Sequence, residues 1–298
     1  MIRMKKRLLP IFAAALLLVS CSSPAIGDIQ GMEQGKTLYS NLADEGSKNE
    51  VIGVLQRHGI APEQTDTLLA WINDFNGRVT SPALPEGFTP MEGDLVDYSG
   101  LLFDYKELAD GSLFPDANCR LTAFMLMQKH IQTKGTANEN DTYLMFDIEA
   151  IDTQGEYALS EKARTDFITL FNAVPLAGAE NQEEHQACLE KAWRDRGIQV
   201  DTSTSLSLIE VYLHSTFDDV RFVGHVGVLI DTAEGLLFVE KYGPEAPFQA
   251  TKFSSRNALE HYLLARPDLY GDDTELPPII MENGRCMDPA QTTFNRGN

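Results

Sequence analysis

Phe222-Val223-Gly224-His225-Val226-Gly227-Val228-Leu229-Ile230 is an apolar run broken by one ionisable side chain, His225. Its β-branched residues mark a strand, and period two puts His225 on one face with Val223, Gly227 and Leu229. An imidazole at the middle of such a strand needs a partner, because burying it unpaired costs about 1–3 kcal/mol. Gly227 is expected to leave open space beside the ring, where a helix end or a substrate backbone can approach. Asp231-Thr232-Ala233-Glu234-Gly235 supplies turn chemistry, so Arg221–Ile230 and Gly235–Tyr242 read as a hairpin. Loop length decides what stands behind the ring. A four-residue loop puts Glu240 opposite or diagonal to His225, whereas a five-residue loop presents Lys241 on that face.

The other notable stretch is Phe114-Pro115-Asp116-Ala117-Asn118-Cys119-Arg120-Leu121-Thr122-Ala123-Phe124. Asp116 and Asn118 are both good N-caps, and Leu121, Phe124, Met125 and Ile131 recur at helical spacing. The pattern predicts a helix over roughly 118–133 with Cys119 in its first turn. There the helix dipole and the neighbouring Arg120 favour the thiolate, the nucleophilic form. Cys119 also fits the plainer description of a small buried apolar residue. Of the six histidines, His130, His185 and His261 fall on expected helices and His214 closes an uncertain segment. His225 alone sits inside a strongly apolar strand.

Elsewhere the order of elements predicts an α+β fold. Lys36–Leu42 reads as a short strand or turn, and Ser47-Lys48-Asn49-Glu50 as a capping box opening a helix to His58-Gly59. Pro62 opens a second helix, ended by Asn76-Gly77. Residues 78–95, rich in Pro and Gly, read as a long surface loop on the lip of a cleft. The alternation of Leu144, Phe146 and Ile148 predicts a strand over Thr142–Ile151. Helices follow after Ser160 and at about 181–195, then strands at Leu206–Leu213 and Phe248–Phe253 and a helix at 255–265. The tail from Pro267 reads as irregular. No internal repeat occurs, so residues 37–298 are expected to form one domain.

The N-terminus reads differently. Arg3, Lys5, Lys6 and Arg7 precede an apolar run from Leu8 to Val19, which is a secretory signal too short for a comfortable membrane span. Leu18-Val19-Ser20-Cys21 has the form of a bacterial lipobox, so residues 1–21 are expected to be a lipoprotein signal, with Cys21 lipidated and 22–36 a tether. Beyond Cys21 lie all forty-four acids against twenty bases, a net charge of −24. That surface repels nucleic acid and anionic headgroups. Three cysteines remain, an odd count that leaves at least one unpaired or pairs it with another chain; if any two pair, Cys188 and Cys286 are the expected pair. No C-x-x-C or His-Glu-x-x-His spacing supports a zinc site, and no cofactor motif occurs, so no metal or organic cofactor is expected.

Gly224-His225-Val226-Gly227-Val228-Leu229-Ile230 resembles the histidine strand of NlpC-type cell-wall cysteine peptidases, a branch of the papain-like superfamily. The resemblance implies an antiparallel sheet packed on a cysteine-bearing helix. It marks Cys119 as nucleophile, His225 as base and Glu240 as the residue orienting the imidazole. The long interval between Cys119 and His225 implies a helical insertion at about 156–197. Tyr39-Ser40-Asn41-Leu42, Asn118-Cys119-Arg120, Phe238-Val239-Glu240-Lys241 and Pro247-Phe248-Gln249-Ala250 further resemble a family of bacterial lipoproteins known as a domain of unknown function (DUF4300-like).

Together these lead to the expectation of a surface-anchored thiol hydrolase acting on an amide or peptide bond, with cell-wall peptide as a substrate class. Asn118, Asn41 and Gln249 are candidates for substrate or oxyanion contacts. The membrane would be a partner through the lipid on Cys21. A non-catalytic envelope lipoprotein that binds peptide, glycan or protein is the competing expectation, and a glycosidase built on a carboxylate pair is a third.

Overall fold

The computed structural model describes residues 36–287; the signal, the lipobox and nearly all of the tether lie outside them. β1 (Leu38–Ser40) leads into α1 (Glu45–Arg57) and α2 (Pro62–Arg78). Asp44 caps α1 by accepting the Ser47 N–H at 3.0 Å. The helix therefore starts ahead of the expected Ser47–Glu50 box, and the Ser47 hydroxyl turns back onto Asp44 instead. α2 runs through Asn76-Gly77, because the Asn76 amide bonds the carbonyls of Asn41 and Leu42 rather than ending the helix.

The proline-rich stretch is partly tied down by β2 (Val79–Ser81), β3 (Thr89–Pro90) and β4 (Leu102–Phe103). β2 pairs with β4, and β3 adds to β1. α3 (Cys119–Met127) is shorter than expected: Ile131 belongs to β5 (Ile131–Gln132), not to a continuing helical stripe.

Thr142–Ile151 is not a strand. A 3₁₀ turn at Thr142–Leu144 runs into α4 (Met145–Thr153). Leu144, Asp147, Ala150 and Ile151 are its buried face, at helical spacing, while Phe146 is 71% exposed. Burial of Asp147, which period-two reading treats as solvent-facing, is what turned the pattern. α5 (Glu161–Phe171), β6 (Val174–Pro175), α6 (Gln182–Asp195) and β7 (Gln199–Val200) follow, with β7 returning to pair with β5.

Most of the sheet comes from the last third of the described chain. β8 (Leu206–Ser215), β9 (Val220–Thr232), β10 (Gly235–Lys241) and β11 (Phe248–Phe253) precede α7 (Arg256–Ala265), β12 (Ile279–Glu282) and β13 (Arg285–Cys286). The order is β13-β12-β8-β9-β10-β11-β1-β3, with β6 pairing to β9, and each pairing is antiparallel. The tail expected to be irregular thus supplies two strands, because Ile279–Met281 are apolar and bury against β8 once past Pro277-Pro278.

Two apolar layers flank the sheet. Val226, Val228 and Val239 face α3 and the other early helices, whereas Val211, Leu229 and Phe238 face Leu259, Tyr262 and Leu263 of α7. This alternation is what one expects of a sheet covered on both sides.

A bulge breaks the simple alternation in β9. Val211 pairs with His225 but Tyr212 with Val223, so Gly224 is the extra residue. His225 consequently turns to the α7 face with Gly227 and Leu229, and not to Val223's face as period two implied. The space at Gly227 is also filled. A Cβ there would meet the Phe238 ring at 2.3 Å.

Candidate active site

The hairpin between β9 and β10 turns through Ala233 and Glu234 alone, with Thr232 opposite Gly235. Two residues have the same parity as four, so Glu240 and not Lys241 falls on the His225 face. Paired strands continue only to Val228 opposite Val239; beyond them β10 stays on β11 and β9 on β8. The strands part where His225 and Glu240 lie, and the start of α3 packs against both.

Three groups converge there. The Cys119 thiol and the His225 ring lie close enough for each to displace the other's pKa. His225 Nε2 lies 2.6 Å from Glu240 Oε2. Glu240 is fully buried and His225 nearly so, while Cys119 is half-buried. A carboxylate only accepts, so Nε2 carries the hydrogen, which leaves Nδ1 as the ring nitrogen able to exchange a proton with the thiol.

Burial by itself would push the thiol up, but the hydrogen bond and charge of His225, with Arg120 behind them, outweigh it and hold Cys119 below its ordinary value. Burial and the Arg266 cation push the imidazole down; Cys119 and Glu240 outweigh these and leave it above its ordinary value. Both displacements favour thiolate and imidazolium together.

Asn118 caps α3 by accepting the Leu121 N–H at 2.9 Å, and its amide donates to Asp147 Oδ1 at 2.6 Å. Asp147 also receives Arg120 through Nε and Nη2, at 3.3 and 2.7 Å, and Arg120 Nη1 reaches the Val223 carbonyl at the bulge. The helix start is thereby fixed to β9 and α4. With both ends of its amide occupied, Asn118 is placed to hold the helix rather than to meet a substrate.

Asn41 and Gln249 stand further back. Asn41 Nδ2 donates to the Tyr98 hydroxyl (2.5 Å), which donates to Gln249 Oε1 (2.7 Å). Gln249 Nε2 bonds the Tyr262 hydroxyl at 2.9 Å, and Tyr262 donates to Glu240 Oε1 at 2.7 Å. A continuous buried relay thus runs from the end of β1 to the carboxylate behind His225.

Tyr98, Tyr262 and Arg266 are missing from a sequence-based account of the site, and Lys241 enters it only as the alternative to Glu240. Lys241 is fully buried, with Nζ 3.9 Å from the Phe75 ring and bonded to the carbonyls of Gly243, Pro244 and Ala246. Burial draws its pKa down to about 7. No local pattern marks these residues. The one usable signal was that a buried carboxylate requires several donors, which local sequence does not locate.

The expected Cys188–Cys286 bond is not formed: Cys119, Cys188 and Cys286 are free thiols, and Cys188 Sγ faces the Leu176 carbonyl at 3.7 Å. Among the described residues no group of three or more His, Cys, Asp or Glu is placed to hold a metal ion. No helix among them is long and apolar enough to cross a membrane. A cavity of about 640 Å³ lies away from the cysteine, lined by Gln182, Glu260, Leu264, Asp272, Pro278 and Ile280 among others.

An α+β chain with a mostly antiparallel sheet and a Cys–His–Glu cluster is the class defined by these observations. The chain belongs to the family described as Domain of unknown function (DUF4300), whose model matches residues 38–287. No curated protein and no solved structure matches it.

Proposed function

We propose that this chain is a papain-like thiol hydrolase of the cell envelope, tethered through a lipid on Cys21 and cleaving an amide or peptide bond, with cell-wall peptide as the substrate class. The observation that carries the reading is a histidine held 2.6 Å from a buried glutamate and close enough to a cysteine at a helix start to lower its pKa. A nucleophile, a base and an orienting acceptor in that order are what acyl transfer to sulfur requires.

The Cys119 thiolate attacks the carbonyl carbon, forming a C–S bond and an oxyanion. First-turn N–H groups have no acceptor within the helix, so the Cys119 N–H is available to the oxyanion. His225 passes its proton to the departing amine as the C–N bond breaks. It then takes a proton from the water that hydrolyses the thioester, while Glu240 holds the ring in place. Every group in this scheme is a protein side chain or backbone.

A second reading, a non-catalytic envelope lipoprotein, is favoured by the 640 Å³ cavity, which lies within the range of ligand pockets and is not lined by Cys119. Incubation with peptidoglycan fragments separates the two. Hydrolysis of a peptide bond that disappears in Cys119→Ala and in His225→Ala supports the hydrolase. Fragments left intact by a protein that retains them equally with Cys119→Ala would favour the binding module.

A further inference from the structure

Arg266 follows the last turn of α7 and is 1% exposed. Its Nη1 lies 3.1 Å from Glu240 Oε2 and 3.3 Å from His225 Nε2. Nε2 already gives its hydrogen to Glu240, so it accepts nothing from the guanidinium, and that second contact sets cation against ring. Nη2 bonds the Tyr242 carbonyl at 2.8 Å and Asp268 Oδ2 at 2.6 Å, and the guanidinium carbon lies 3.9 Å from the centre of the Tyr242 ring. The arginine is therefore fixed on all sides and cannot swing away from the pair.

We propose that Arg266 is a positioning residue of the site read above as catalytic. It remains a counter-charge beside Glu240 whatever the state of His225, and as a permanent cation on the ring it sets the pH at which the imidazolium gives up its proton. The proposal rests on the thiol-hydrolase reading and deepens it. A fully buried carboxylate costs several kcal/mol without a counter-charge. If His225 were the sole counter-ion, releasing the imidazole proton to a leaving amine would strand that carboxylate. Arg266 removes the conflict, because its cation stays in place after the imidazole proton has left.

The charged and titratable groups around His225 are few. α3 brings Cys119 with Arg120 behind it, β10 brings Glu240, and α7 brings Tyr262. The segment after α7 brings Arg266 and Asp268, and Tyr242 lies beneath the guanidinium. Asp268 is the moderator. Its side chain is 54% exposed, and it offsets part of the Arg266 charge.

The test is the rate of Cys119 alkylation by iodoacetamide against pH, followed by mass spectrometry of the Cys119 peptide in the full chain. The upper inflection of that profile reports loss of the imidazolium. Arg266→Gln is expected to move it up by about one pH unit, the usual effect of deleting a close charge. Asp268→Asn, at a half-exposed position that the fold tolerates, is expected to move it down, and Arg266→Lys to leave it near the parent value.

A merely structural arginine would shift stability and not displace the inflection in opposite directions. Arg266→Gln and Asp268→Asn both keeping the parent inflection, or both moving it the same way, would overturn the proposal. Should Arg266→Gln not fold, Asp268→Asn decides alone: a downward shift supports the role and an unmoved inflection removes it. If Cys119 of the parent titrates as an ordinary thiol, the thiol-hydrolase reading fails first, and this proposal with it.

Discussion

Glu210 is the other fully buried carboxyl of the sheet. It touches the Tyr212 hydroxyl at 3.1 Å through Oε2, while Oε1 has no partner. Burial pushes its pKa up to about 8 from 4.5. Between those values the folded chain keeps a proton that the unfolded chain has lost. Stability from this group is therefore full below about 4.5 and falls as pH rises towards about 8, by roughly 3–5 kcal/mol. Glu210→Gln should match the parent in urea unfolding at pH 4 and exceed it by about 2–4 kcal/mol at pH 8. A variant that gains nothing at pH 8 would mean that Glu210 is ionised in the fold. The two buried carboxyl groups have different surroundings. Glu240 has three donors around it and Glu210 has a single tyrosine hydroxyl.

Among the elements, the hairpin was the most legible, because a continuous β-branched run beside turn residues leaves few alternatives. Its bulge was not legible. Gly224 and Gly227 look alike in sequence, and their difference lies in what faces them. A Cβ at Gly227 would stand 2.3 Å from the Phe238 ring and 3.0 Å from the Val239 carbonyl, which is backbone and cannot yield. At Gly224 the near neighbours are Cδ1 and Cγ of Leu213, at 2.3 and 2.4 Å, in a side chain that can turn aside where backbone cannot.

Gly227→Ala should thus cost about 1–3 kcal/mol and Gly224→Ala under about 1, compared by urea midpoints. Equal costs would show that Phe238 is free to move. α4 was misread for a related reason. Its pattern makes sense only once Asp147 is known to be buried against Arg120, a contact 27 residues away. The cysteine helix could be located from its cap and stripe. What lies behind the imidazole could be narrowed only to two residues, since one residue of loop length exchanges Glu240 for Lys241. Arg266 and Tyr262 were beyond reach because tertiary packing alone brings α7 over the sheet.

For the whole molecule, the balance of −24 beyond Cys21 gives the protein no electrostatic reason to lie on an anionic surface. On the function proposed above, attachment to a membrane then depends on a lipid at Cys21. Cys21→Ser should move the chain from the detergent phase to the aqueous phase in a partition experiment; retention in the detergent phase would point to another anchor. The sheet order carries a further consequence, for the way the chain is made. β1 sits between β11 and β3, and Ser40 pairs with Ala250. Closing so distant a contact is slow, since the ordering of the intervening chain comes before its reward. While the polypeptide emerges amino end first, its opening strand has nowhere to dock until some two hundred later residues have followed. The relay from Asn41 to Glu240 is accordingly among the last parts to assemble, and a half-emerged molecule carries Cys119 before His225 has followed it.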